Sequence, residues 1–280
     1  MSHQLPASPG PIGVFDSGYG GLTILDEIRK VMPQYDYMYL GDNARSPYGP
    51  RSFPIVYRFT LQAVTQLFRM GCHLVILACN TASAKALRTI QMNDLPRLDV
   101  CRRVLGVIRP TVECVGDLTR SRHVGVLATP GTIQSASYHL EIHKLFPDIQ
   151  VTGQACPLWV PLVENGEAEG DGADYFVHKY LDQLMGRDPQ IDTIILGCTH
   201  YPLLLPKIKA ALPDGIRVIP QGRLVAESLH DYLHRHPEIN RKCTKGGRCA
   251  YYTTESEDKF RESASAFLHQ SIAATKVELT

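Results

Sequence analysis

The chain lacks the marks of several protein classes. Its 280 residues carry 29 Lys and Arg against 28 Asp and Glu, a formal net charge of +1. Nothing in that balance favours nucleic acid or an anionic membrane surface as a partner. No apolar run approaches the ~20 residues of a membrane-spanning helix. The opening segment, residues 1–11, has no charged region followed by an apolar one, so it reads as a flexible N-terminal tail rather than a secretion signal. The eight cysteines include no Cys-x-x-Cys pair, which argues against a thioredoxin-type redox centre. Neither Cys198-Thr-His200 nor the Cys243 and Cys249 pair has zinc-ligand spacing, so no metal is expected. A glycine-rich turn occurs early, but no Gly-Lys-Ser or Gly-Lys-Thr follows it, and a phosphate loop is not indicated.

What is present is a 44% apolar, 20% charged composition, enough for one large or two ordinary globular domains with a substantial core. The cysteines are dispersed, several of them in apolar runs. They are expected as reduced thiols of a cytoplasmic protein.

The central stretch is Leu74-Val-Ile-Leu-Ala-Cys-Asn-Thr-Ala-Ser83. Four uninterrupted apolar residues suit a strand buried on both faces of a parallel sheet. Cys79 then falls at the strand's C-terminal tip, before an Ala-rich helical run to Met92 capped by Asn80 or Thr81. Open α/β sheets bind ligands at that edge. A helix N-terminus there would favour the Cys79 thiolate. The pattern returns at Ile191-Asp-Thr-Ile-Ile-Leu-Gly-Cys-Thr-His-Tyr-Pro202, with Cys198 in the same place.

In chain order, a strand over 11–15 leads to the turn Asp16-Ser-Gly-Tyr-Gly-Gly21, then to a helix with Leu22, Leu25, Ile28 and Met32 on one face. A strand over 36–40 leads to a loop through Ser46, Tyr48 and Gly49, and a helix over 53–70. Strands follow over 103–108, 122–127, 149–154, 216–219 and 250–254. Helices are expected from Thr111 onward and over 172–185, 223–234 and 255–268. Residues 155–166 read as an apolar loop carrying the single Trp and one acid, Glu164, and 235–248 as a polar loop. The β-α alternation predicts an α/β fold of mostly parallel, doubly wound sheets. Ile12-Gly-Val-Phe-Asp-Ser-Gly and Val124-Gly-Val-Leu-Ala-Thr-Pro are alike, and Gly13 and Gly125 are separated by nearly the same interval as Cys79 and Cys198. Two facing copies of one unit, related by a pseudo-two-fold axis, are expected.

Two opposed thiols suit exchange of a proton at carbon: one removes it as thiolate and the other returns one as thiol. Asp16 at a strand tip, His200 beside Cys198 and Glu164 over the cleft are the candidate helpers. Cys72, Cys101 and Cys114 read as core thiols.

These motifs together resemble the cofactor-independent aspartate/glutamate racemase superfamily, and within it the glutamate racemases. The matching segments are Gly13–Gly21, Tyr48–Ser52, Ala78–Ser83, Pro157–Glu164 and Leu196–Pro202, spread from Ile12 to about Leu268. The resemblance implies two facing domains, 12–108 with 219–270 and 109–218, and a glutamate between them. It implies Cys79 and Cys198 as acid/bases assisted by Asp16, His200 and Glu164. Asp16, Ser17, Tyr48, Gly49, Asn80, Thr81, Thr199 and His200 would hold the substrate, with no cofactor. It further implies a homodimer that supplies D-glutamate for peptidoglycan. Asn43, Arg109-Pro-Thr111 and Pro220-Gln-Gly222 depart from the usual pattern. Aspartate as substrate stays open, since one methylene is worth only about 1–3 kcal/mol in a pocket. A single-cysteine decarboxylase is disfavoured by the second thiol, and a non-catalytic small-acid binding protein has no evident use for the pair.

Overall fold

The computed structural model describes residues 8–268 and 272–279. Among them, ten strands form two sheets, and every strand pair is parallel. The first contains β1 (Ile12–Asp16), β2 (Tyr37–Gly41), β3 (Leu74–Leu77), β4 (Arg103–Gly106), β9 (Cys249–Thr253) and β10 (Thr275–Lys276), in the order β10-β9-β2-β1-β3-β4. The second contains β5 (His123–Ala128), β6 (Gln150–Ala155), β7 (Thr193–Gly197) and β8 (Arg217–Ile219), in the order β6-β5-β7-β8.

The strand residues are buried on both faces because helices cover both. Phe15, Val75 and Leu77 point into a core that includes Val56, Val64 and Leu67 of the helix Phe53–Arg69. Their neighbours Val14, Leu74 and Ile76 share the opposite core with Leu22, Leu25 and Ile28 of the helix Gly21–Val31. The second sheet divides likewise. Val124, Val126 and Ile195 face Val112, Val115 and Ile142, while Leu127, Ile194 and Leu196 face Val177, Leu181 and Leu184. This two-sided burial is why the strands read as continuous apolar runs instead of alternating ones.

The order β2-β1-β3-β4 in one sheet is repeated as β6-β5-β7-β8 in the other. Gly13 and Gly125 occupy the central strand of each sheet, and Cys79 and Cys198 follow β3 and β7. The expected duplication is therefore a duplication of topology.

Several local expectations are corrected. The Ala-rich run to Met92 is not one helix: Asn80–Lys85 is helical, then Ala86 departs to φ −121°. The apolar segment 155–166 contains the helix Trp159–Glu164, with Pro161 in its first turn, where no intrahelical N–H is required. Strand β4 stops at Gly106, and the next helix starts at Ile108, before Thr111. A short helix, Pro237–Asn240, interrupts the polar segment 235–248. Of the expected N-terminal tail, residues 1–7 lie outside the described residues. Gly10 is fixed, donating to the Lys242 carbonyl at 3.0 Å and accepting from Thr244 N at 2.9 Å. Strand β10 has no counterpart among the expected strands.

Candidate active site

The C-terminal ends of six strands, three from each sheet, converge on one cavity of about 160 Å³. That lies below the ~300–1,000 Å³ of drug-sized ligand sites and suits one small molecule. Its wall includes Ser17, Tyr48, Gly49, Cys79, Asn80, Thr81, Cys198, Thr199 and His200. Nine of the eleven expected site residues are thus brought together from positions far apart in the chain. Asp16 and Glu164 are not on the wall; they stand behind it.

On the first side, Cys79 is the capping residue of the helix Asn80–Lys85. Its sulfur accepts from Ala82 N at 3.4 Å. Asn80 and Thr81, expected as caps, instead send their side chains away from the helix end: Asn80 to Gln221 and Tyr138, Thr81 to Thr129. The Ser17 hydroxyl lies 3.3 Å from Cys79 Sγ. The thiolate expected at Cys79 is disfavoured by its surroundings. Burial, then the nearby Asp16 charge, push the thiol up to about 12 against the two hydrogen bonds. A helix of under two turns cannot offset that desolvation.

Asp16 is fully buried. Its Oδ2 accepts from Gly18 N at 3.0 Å, and its Oδ1 has no partner among the described residues. Burial raises its pKa, against the lowering effect of His200.

On the second side, His200 connects two groups. Its Nε2 lies 2.9 Å from Glu164 Oε1 and its Nδ1 3.9 Å from Cys198 Sγ. Burial alone would lower the imidazole's pKa, but the bonds to Cys198 and Glu164 prevail and raise it to about 10. The glycine-rich turn explains itself here. A Cβ on Gly20 would collide with Thr199 Oγ1 and His200 Nδ1. The turn is a close-packing surface for the opposite strand tip.

Tyr48 borders the cavity, and its hydroxyl donates to Asp42, which also takes Arg45 and Thr254. Gly49 gives its carbonyl to Gly131 N at 2.9 Å, a tie between the two halves. Sequence reasoning missed Thr129, on the wall, and Asp42 behind Tyr48; Cys156, which it left open as part of the suspected cleft loop, is on the wall too. Thr129 was within reach, since the repeat aligns it with Ser17. Asp42 gave no signal beyond lying at a strand end.

Residues 23–229 match the model of the Asp/Glu/Hydantoin racemase family. The chain belongs to this family. A curated glutamate racemase of Ruegeria sp. (strain TM1040) is 40% identical over 271 residues, 93% of this chain and 97% of that one. Among solved structures, a glutamate racemase of Bacillus anthracis superposes with a TM-score of 0.87 at 35% identity, covering 96% of this chain and 98% of the other. One from Francisella tularensis subsp. tularensis, in complex with D-glutamate, gives 0.84 at 34% identity, covering 97% of each. Racemases of this kind invert a carbon centre, and the cavity with a thiol on each side is the part of the fold suited to that task. The family match spans β2 to β8 and leaves out β1, which carries Asp16 and leads to Ser17, together with β9 and β10.

Proposed function

We propose that the protein interconverts L- and D-glutamate by moving the Cα proton between two thiols, without a cofactor. One observation carries this reading: Cys79 and Cys198 sit at equivalent strand tips of a duplicated topology and border the same small cavity. The names of the similar enzymes support glutamate over aspartate.

In this reading the two thiols flank Cα. One sulfur, as thiolate, takes the Cα proton, and the other gives its S–H proton to the opposite face. The reverse reaction exchanges the roles. Burial and the Asp16 charge favour the thiol form of Cys79. A protonated His200 stands beside Cys198, where it would balance a thiolate and take up or return a proton. Glu164 orients that imidazole through Nε2. Thr81, Thr129, Thr199, Asn80 and Ser17 supply hydroxyl and amide groups for the substrate's carboxylates and ammonium. Charge growing at the carboxylate as Cα loses its proton is met by these prepositioned donors.

The same reading divides the chain into domains 12–108 with 219–270 and 109–218, supported by β1 to β4 and β9 lying in one sheet and β5 to β7 in the other. It makes the protein a cytoplasmic homodimer that supplies D-glutamate for peptidoglycan, cell-wall biogenesis and cell shape. No helix among the described residues is long and apolar enough to cross a membrane.

The test is incubation of the pure protein with L-glutamate in D2O with no additive, followed by chiral separation and mass spectrometry. D-glutamate carrying one deuterium at Cα is expected. Exchange with aspartate alone would keep the chemistry and change the substrate. No exchange with any small acidic amino acid would overturn the reading and favour a binding protein.

A further inference from the structure

Asn80 on the cavity wall and two buried side chains behind it close a ring of hydrogen bonds. Asn80 Nδ2 donates to Gln221 Oε1 at 2.7 Å, Gln221 Nε2 donates to the Tyr138 hydroxyl at 2.6 Å, and that hydroxyl donates to Asn80 Oδ1 at 2.7 Å. Each member is less than 5% exposed. Gln221 Nε2 also lies 2.8 Å from Thr111 Oγ1 and 3.3 Å from the Val107 carbonyl, its two hydrogens shared among three acceptors. A carbonyl can only accept, so the Val107 contact favours this orientation of the Gln221 amide and, through it, that of Asn80.

The placement of the ring is unusual. Asn80 is the residue after Cys79. Tyr138 belongs to the helix Ser137–Leu145, which packs on the second sheet, and its ring edge lies against Gly197, the residue before Cys198. A Cβ at Gly197 would stand 3.1 Å from Tyr138 Cε2. Tyr138 therefore spans from the backbone beside one thiol to the side chain beside the other. Val107 and Gln221 lie at the two points where the chain crosses between the sheets, after β4 and after β8. The ring ties both crossings to the two strand tips.

We propose that Tyr138 and Gln221 are positioning residues that together form a rigid spacer, setting the separation of Cys79 from Cys198 across the cavity. The inference rests on the two-thiol reading given above and extends it to groups that do not touch the substrate. Racemisation needs both sulfurs placed on opposite faces of one carbon at the same time. A reaction that needs only one proton abstraction does not. A spacer defect therefore separates the two, whereas a general loss of folding or of substrate binding lowers both.

The experiment compares kcat for racemisation of glutamate with kcat for loss of HCl from a β-chloro analogue of glutamate. The second reaction requires one thiol to take the Cα proton as chloride departs. In Tyr138→Phe, which keeps the ring against Gly197 and removes the hydroxyl, racemisation is expected to fall about 10- to 100-fold, the scale of a misplacement near 1 Å. Elimination is expected to stay within roughly threefold. Gln221→Met, similar in volume and without donors, should show the same split. The double variant should be no worse than either single one, because the three groups act as a unit. If Tyr138→Phe does not fold, Gln221→Met alone carries the test. Unchanged racemisation in the folded variants, or an equal fall in both reactions, would overturn the spacer. Absence of racemisation in the unaltered protein would overturn the two-thiol reading and the spacer with it, and is told apart because it precedes any substitution.

Discussion

Glu164 Oε1 lies 2.9 Å from His200 Nε2, on the far side of the imidazole from Cys198. The three side chains form a line from the helix Trp159–Glu164 to the cavity. Cys79 has no such line; it has the Ser17 hydroxyl and one backbone N–H. Thiols at topologically equivalent positions thus have unlike surroundings, and unlike responses to pH and substitution are expected of them.

The pH dependence of His200 has a definite sign. Its folded pKa is raised from the ordinary 6.5 to about 10, with burial opposing and the bonds to Cys198 and Glu164 prevailing. The stability it contributes is complete below about 6.5 and is lost as pH rises through about 10. Unfolding free energy should therefore decline across that window. In Glu164→Gln the upper edge should move down towards the ordinary value. Ring titration of labelled histidine by NMR, with denaturant midpoints at several pH values, checks both. An unmoved His200 titration in Glu164→Gln would contradict the geometry.

Each cysteine should be required for racemisation, but in opposite senses for exchange. Cys79→Ser and Cys198→Ser should each lower turnover by about 10²- to 10⁴-fold, the usual weight of a positioned acid/base. Deuterium washed into unreacted L- and D-glutamate, measured separately, should show each variant retaining its residual exchange with a different enantiomer. The same preference in both variants would argue that one thiol alone does the chemistry.

Gly20 should tolerate no side chain. Gly20→Ala drives a methyl group into Thr199 and His200. Overpacking of this kind costs about 1–3 kcal/mol, and displacement of His200 should reduce kcat about tenfold or more. Gly186 is the control. It lies in the helix Asp171–Arg187, and a methyl group added there would meet nothing within 4 Å, so Gly186→Ala should stabilise by about 0.4–1 kcal/mol. Urea unfolding and turnover measured on the pair give the comparison.

Trp159 anchors the helix that carries Glu164. It is fully buried, meets Tyr201 edge-on at 4.7 Å, and donates from Nε1 to the Phe176 carbonyl at 3.2 Å. Trp159→Ala should cost about 3–5 kcal/mol and should also lower the His200 pKa, since Glu164 loses its footing. Trp159→Phe should keep most of both. Equal His200 titration in the two variants would separate the anchor from the relay.

Much of the fold was legible because a strand buried on both faces leaves a strong local trace. The apolar runs of β3 and β7, each ending in a small residue and a cysteine, gave strand, tip and thiol together. The repeat of Gly13 and Gly125 announced the duplicated topology. Local signals failed where packing overrode them. The helix after Cys79 breaks at Ala86 despite its alanines, and the proline-containing segment 155–166 forms a helix because Trp159 buries itself against Tyr201 and Tyr180.

The sequence by itself determined which residues stand at the ligand edge, since strand-to-helix order fixes what lies at a strand's C-terminal tip. It could not decide the state or setting of those residues. The raised pKa of Cys79 follows from its burial and from the nearby Asp16 charge. That Glu164 reaches His200, that the Tyr48 hydroxyl turns to Asp42, and that Tyr138 and Gln221 brace Asn80 all depend on contacts between elements. Asn80 and Gln221 are 141 positions apart and form a hydrogen bond of 2.7 Å. Desolvation and hydrogen bonding act through space, so they exist only once both sheets have folded and closed on the same cavity.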